Sequence, residues 1–115
     1  MNTLTKGVSK DTLFAEYVKV VNGVLELSER EALVFSFLLS IDSESKLDNI
    51  NTKEIRTAIM AKTGISAPNL SRYLGVLKTK GLLVRGSTGK WVINDIIRPV
   101  ITNGVFELKF VLKVE

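Results

Sequence analysis

The stretch that decides the fold is NTKEIRTAIMAKTGISAPNLSRYLGVLKTKGLLVRGSTGKWVIND, residues 51–95. Its first part predicts a helix that Asn51 or Thr52 can cap and that Gly64 can end in the left-handed conformation. Only residues 63–65 then separate it from a second helix, a spacing typical of two crossed helices. The inward-facing residues of the first helix are expected to be Ile55 and Ile59, with Ala58 as a further candidate.

The second helix of this stretch is expected to start at Ser66, whose hydroxyl can cap it. Pro68 is compatible with the first helical turn, because the early amides have no acceptor within the helix. Gly81 is suited to end the helix. Its buried stripe, spaced i, i+4 and i+7, is predicted to be Leu70, Leu74 and Leu77.

Two short strands, 82–85 and 90–93, are predicted around the sequence Gly-Ser-Thr-Gly. They form a hairpin with an exposed basic tip. Trp91 lies beside Val92 and Ile93 in the second strand, where successive side chains alternate between the two faces. We therefore expect Trp91 to pack in the core rather than to serve as a base-stacking platform.

Before residue 51, a polar segment at 1–16 is followed by YVKVVNGVLEL at 17–27, which predicts a β-hairpin turning at Asn22-Gly23. The sequence Ser-Glu-Arg-Glu at 28–31 then matches a capping box and predicts a helix that ends near Ile41. The residues that give this helix its mixed, largely apolar circumference are Ala32, Leu33, Phe35, Leu38, Leu39 and Asp42.

Beyond residue 95 the chain contains Pro99 and a second Asn-Gly pair at 103–104. Apolar residues then occupy every second position, which predicts a terminal strand. The apolar face of that strand is predicted to be Phe106, Leu108, Phe110, Leu112 and Val114. The expected fold class is therefore α+β. One domain over 1–115 would contain a three-helix core with its β-hairpin, an N-terminal β-hairpin and a C-terminal β-strand.

The bulk composition limits the possible functions. With 115 residues, 45% of them hydrophobic, the chain has room for one core. It has no Cys and no His, which removes thiol nucleophiles, the commonest general base and the usual transition-metal ligands. We therefore expect no enzyme, no cofactor and no metal site. The absence of a signal-like or membrane-length apolar run favours a cytoplasmic protein.

Charge is distributed unevenly along the chain. The formal net charge is +4, but residues 51–93 contain eight Lys and Arg against the single acid Glu54, so this segment is +7 and the remainder −3. A basic half of this kind favours a surface that faces a polyanion, although solvated charged faces would give the same count.

Residues 51–95 resemble the winged helix-turn-helix of prokaryotic and phage transcription regulators. The resemblance rests on a capped helix, the turn TGIS, the helix SAPNLSRYLGVLKTKGLL and the glycine-tipped basic hairpin, a pattern similar to MarR-like and ArsR-like repressors. The ending GKWVIND is also similar to that of plasmid replication initiators with this fold. The chain lacks the long terminal helices of MarR-like dimers and the metal-binding Cys or His of many ArsR-like sensors.

The resemblance implies that the second helix enters the major groove of duplex DNA. The predicted base-reading residues are Ser66, Asn69, Arg72 and Tyr73. Alternatives are a phosphate contact or surface ion pair for Arg72, local backbone bonding for Asn69 and half-buried packing for Tyr73. The predicted phosphate and wing contacts are Lys53, Arg56, Lys62, Lys78, Lys80, Arg85, Ser87, Thr88 and Lys90.

The function expected from these residues is that of a DNA-binding transcription regulator or replication-initiation factor acting on double-stranded DNA. The alternative is a protein-interaction or virion-structural protein that reuses the same fold. The alternating terminal strand also predicts a homodimer through the C-terminal β region, against a monomer in which that strand completes the sheet.

Overall fold

Among the residues that the computed structural model describes, four helices and the larger of two antiparallel strand pairs form the body of an α+β fold. The structure describes residues 12–99, the backbone of 101–102 and 105–106, and Val114. The helices are α1 (Leu13–Leu25), α2 (Glu29–Glu44), α3 (Lys53–Thr63) and α4 (Ala67–Thr79), and the sheet pairs β1 (Leu83–Arg85) with β2 (Trp91–Ile93). A 3-10 turn (Asp95–Ile97) and a short antiparallel pair, β3 (Ile101–Thr102) with β4 (Val105–Phe106), follow.

Helix α1 occupies residues 17–25 of the segment 17–27 for which a β-hairpin was predicted, so that prediction is wrong. Tyr17, Val18 and Val21 follow helical spacing and are buried where α1 packs on α2. Burial of this stripe outweighs the β propensity of its valines. The segment predicted as polar, 1–16, also contributes its last four residues to α1, and its residues 1–11 lie outside the described part.

The Asn-Gly pair at 22–23 lies inside α1 and not in a strand turn. Asn22 uses its side-chain amide to bind the backbone of Leu27, accepting from its N–H at 2.8 Å and donating to its carbonyl at 3.1 Å. Glu26, with a φ of 55°, turns the chain after the helix. The residue that suggested a hairpin turn thus closes the connection between α1 and α2.

Helix α2 begins at the predicted capping box. The Ser28 hydroxyl accepts from the Glu31 amide at 3.2 Å, and the Glu31 carboxylate accepts from the Ser28 amide at 2.9 Å. The helix continues to Glu44, three residues past the predicted end. Of the residues expected in its core, Phe35, Leu38, Leu39 and Asp42 are buried, Ala32 is half-buried and Leu33 is exposed.

Helices α3 and α4 begin and end as predicted. Thr52, rather than Asn51, caps α3 by accepting from the Ile55 amide at 3.2 Å, and Gly64 ends it with a φ of 72°. Ser66 occupies the N-cap position of α4, but its side chain makes no capping hydrogen bond. The stripe of Leu70, Leu74 and Leu77 is buried, as is Ile59, while the further candidate Ala58 is exposed.

The β1–β2 hairpin is one residue shorter in each strand than predicted. Its register pairs Arg85 with Trp91 and Leu83 with Ile93, and the last two side chains are buried. Residues 87–89 form a tight turn in which Gly89 has a φ of 79°, a conformation that favours glycine. On the other edge of β2, the Ile50 amide donates to the Trp91 carbonyl at 2.9 Å. The α2–α3 connection therefore runs beside the sheet.

The segment after β2 is tied back to the first two helices. The Tyr17 hydroxyl donates to the Ile97 carbonyl at 2.6 Å, and Arg98 forms an ion pair with Asp42. The predicted turn at 103–104 and residues 107–113 of the predicted terminal strand lie outside the described residues, and the side chain of Val114 is exposed. None of the described helices has the length and apolar character needed to cross a membrane.

Candidate nucleic-acid interface

The N-terminal half of α4 presents a polar face to solvent. The side chains of Leu70 and Leu74 are buried in the core, so the opposite side of the helix faces solvent. Spacing of three and four residues places Ser66, Asn69 and Tyr73 on one side of the helix. Three of the four predicted base-reading residues, Ser66, Asn69 and Arg72, are exposed here, and Tyr73 is half-buried against the core.

Arg72 is held in place by its neighbour Tyr73. The Arg72 guanidinium carbon lies 5.1 Å from the centroid of the Tyr73 ring, and Nη2 donates to the Tyr73 hydroxyl at 3.3 Å. Tyr73 adopts the half-buried packing that was the alternative to base reading for this residue. What the sequence did not indicate is that the same ring orients an exposed cation, which keeps its other N–H donors available.

Arg56 connects the two helices of this region. Its Nη2 donates to the Ser71 hydroxyl at 2.7 Å, so a predicted phosphate-contacting residue of α3 lies directly beside the exposed face of α4. Because the Ser71 hydroxyl is a neutral acceptor, this contact does not compensate the positive charge of Arg56.

The β1–β2 hairpin carries its own cations. Arg85 donates from Nη1 to the Gly89 carbonyl at 2.7 Å, and its guanidinium carbon lies 5.0 Å from the Trp91 ring centroid. Nζ of Lys78, from α4, lies 4.7 Å from the same centroid. Trp91 packs against the core as predicted, but its role in holding two cations was missed. The predicted wing residues Ser87, Thr88 and Lys90 are exposed around the turn.

Lys80 has a contact that the sequence did not predict. Its ammonium donates to the Leu25 carbonyl at 3.1 Å and also to the Glu26 carbonyl, which are the last carbonyls of α1. A cation at a helix C-terminus is stabilising, so Lys80 has a structural role in this fold. The side chains of Lys53 and Lys62 are exposed and make no hydrogen bond or ion pair within the described part of the chain.

Among the described residues, no acid forms an ion pair with a cation of residues 51–93. The ion pairs between described residues both involve Arg98, which pairs with Asp42 and Asp95. Partial burial lowers the pKa of Arg98, but its hydrogen bonds and charge interactions with these two carboxylates outweigh that effect and raise the pKa. None of the eight cations of 51–93 has a described carboxylate within 4.0 Å. A surface of this kind attracts polyanions.

Comparison of the chain with protein-family models, with curated proteins and with solved structures finds no match.

Proposed function

We propose that this chain binds double-stranded DNA, with α2, α3, α4 and the β1–β2 hairpin acting as a winged helix-turn-helix. Three features support the proposal. The elements follow one another in the order of that module, three residues join α3 to α4, and Ile50 bonds to the free edge of β2 as a short third strand would. The cellular role is that of a transcription regulator or a replication-initiation factor of prokaryotic or phage origin.

The observation that carries this proposal is the combination of an exposed polar helix face with cations that no described acid neutralises. An α-helix fits the major groove, where Asn pairs with adenine and Arg with guanine. Asn69 and Arg72 would make those contacts, and the Arg72–Tyr73 stack would reduce the entropy lost when the guanidinium is ordered on a base.

Phosphate contacts would come from both sides of α4. Arg56 is held beside α4 by its hydrogen bond to Ser71, and Lys53 and Lys62 are exposed on α3. The small side chains of Ser87 and Thr88 would let the wing approach the backbone or the minor groove closely. These contacts fix position and supply affinity without reading sequence.

A homodimer is the assembly that this function favours, because two modules can read the two halves of a symmetric operator. The C-terminal β region is the proposed contact. Light scattering of the full-length chain across micromolar concentrations tests this assembly, and a monomeric mass throughout would contradict it.

The DNA-binding proposal is tested by measuring duplex affinity as a function of salt, for random duplexes and for duplexes selected by the protein. Binding should weaken steeply with salt, with a logarithmic slope of about 0.9 for each phosphate contact, and selected duplexes should bind more tightly than random ones. Absence of binding at low salt would contradict the proposal. It would favour the alternative, a protein-interaction or virion-structural role for the same fold.

A further inference from the structure

The single tryptophan of the chain, Trp91, has two cations from different elements within 5.0 Å of its ring centroid. Lys78 Nζ reaches the ring from α4 and Arg85 Cζ reaches it from β1, at 4.7 and 5.0 Å from the ring centroid. Because Trp91 itself belongs to β2, the ring joins the last turn of α4 to both strands of the hairpin. We call these three residues the Trp91 cluster.

The parts of the Trp91 cluster are held before any ligand arrives. The Trp91 backbone accepts from the Ile50 amide at 2.9 Å, and its side chain packs against the core. Arg85 is the cross-strand partner of Trp91 and donates to the Gly89 carbonyl. Since these contacts already restrict the side chains, little conformational entropy remains to be lost when a ligand binds.

No acid in the described part of the chain forms an ion pair with the Trp91 cluster. Neither Lys78 nor Arg85 has a carboxylate within ion-pair distance among the residues that the structure describes. The π system of the indole attracts both cations but carries no net charge, so it leaves their positive charge in place. The Lys78 ammonium and the unused guanidinium N–H groups of Arg85 remain able to donate to an anion.

We propose that Lys78 and Arg85 bind one phosphodiester group of the nucleic-acid backbone and that Trp91 is the positioning residue that holds them for it. This inference rests on the proposed function and gives it a specific phosphate site at the junction of α4 and the hairpin. Because binding of a phosphate changes the contacts of both cations with the indole, Trp91 fluorescence should report occupancy directly.

The test uses the full-length chain and two probes, a labelled random-sequence duplex and inorganic tripolyphosphate. Binding of the duplex is followed by anisotropy of its label, and site occupancy by Trp91 emission. Both probes should change the emission of the unmodified protein. The double variant Lys78→Gln/Arg85→Gln should lose that response, and its salt slope for the duplex should fall by about 0.9, the value for one phosphate.

A matched control removes the same charge elsewhere. Lys53→Gln/Lys62→Gln should weaken duplex binding but keep the Trp91 response, because both lysines are exposed on α3. The positioning role is tested with Trp91→Leu, which keeps both cations and should lower duplex affinity by about two- to fivefold. Trp91→Phe should restore part of that loss, and circular dichroism melting of each variant separates it from a loss of folding.

The outcomes separate this inference from the proposed function. If the duplex binds but Trp91 emission stays constant, or if the two double variants behave alike, the phosphate site is wrong and DNA binding stands. If Trp91→Leu binds the duplex as the unmodified chain does, the positioning role is wrong. If tripolyphosphate changes the emission while the duplex fails to bind, the anion site is supported and the DNA-binding proposal is contradicted.

Discussion

Asp42, near the end of α2, accepts two hydrogen bonds from the Arg98 guanidinium, from Nε at 2.8 Å and from Nη2 at 3.1 Å. The side chains are only 8% and 16% exposed, so the pair lies largely outside bulk water. Asp42 also accepts from the Leu47 amide at 2.9 Å, which fixes the start of the loop after α2. One carboxylate therefore anchors both the loop and the segment that follows the hairpin.

Replacing Asp42 with Ala should destabilise the protein by about 3 kcal/mol, because it leaves a largely buried guanidinium without its main partner. Urea denaturation at neutral pH measures the change. Asp95→Ala is the matched control, since Asp95 pairs with the same guanidinium but its side chain is 81% exposed. Equal losses for the two variants would contradict the assignment of Asp42 as the anchor.

Stability should fall at alkaline pH through Tyr17. Burial raises the pKa of the Tyr17 phenol above its ordinary value of 10.0. The unfolded chain then loses this proton first, so the stabilisation is complete below pH 10.0 and is lost as the pH rises through the folded-state pKa. Tyr17→Phe should flatten this part of the stability profile and cost about 1 kcal/mol at neutral pH.

Chemical denaturation of the unmodified chain, Tyr17→Phe and Tyr73→Phe across this pH range is the measurement. Tyr73→Phe serves as the control because it removes a tyrosine that contacts Arg72 at the surface. An alkaline slope that is the same in all three proteins would show that other groups cause it.

Lys80→Met should lower the free energy of unfolding by about 1 kcal/mol, because the carbonyls at the end of α1 lose a charged donor. Lys62→Met removes an exposed lysine of α3 and should change stability by less than about 0.5 kcal/mol. The salt slope of duplex binding should respond more to Lys62→Met than to Lys80→Met. A larger effect of Lys80→Met on the salt slope, with little effect on stability, would support the phosphate contact that the sequence predicted for Lys80.

Arg72→Ala and Asn69→Ala should relax sequence preference, with a loss of about 1 to 3 kcal/mol of discrimination at one base pair each. Lys90→Ala should instead weaken binding to all duplexes and lower the salt slope by about 0.9. Tyr73→Phe keeps the ring under Arg72 but removes the hydroxyl acceptor, so a smaller loss of preference is expected. Affinity and preference both unchanged in Arg72→Ala would place the reading face elsewhere.

The sequence predicted α3, α4 and the hairpin almost to the residue because each of them is bounded by local signals. Thr52 and Ser66 precede the helices, Gly64 ends α3, and Gly89 allows the tight turn. Helix α1 was mispredicted because four valines and an Asn-Gly pair favour strands locally. The spacing of Phe14, Tyr17, Val21 and Leu25 was the helical signal available in the sequence.

Part of the candidate site could not be predicted because it depends on residues that are distant in sequence. The spacing of the buried leucines along α4 predicted that Asn69 and Arg72 are exposed. The meeting of Lys78 and Arg85 on Trp91 needs the register of the hairpin and its packing on α4, which no local pattern specifies. The contact of Lys80 with α1 was missed for the same reason, since the two are 54 and 55 residues apart.

The bonds from Tyr17 to Ile97 and from Asp42 to Arg98 join residues that are 80 and 56 positions apart. The contacts between α3, α4 and the hairpin are more local, and local contacts form first because they close shorter loops. The two long-range bonds should therefore form late, after the folding barrier has been crossed. Removing them would speed unfolding more than it slows folding, so they determine the lifetime of the folded chain rather than the rate at which it forms.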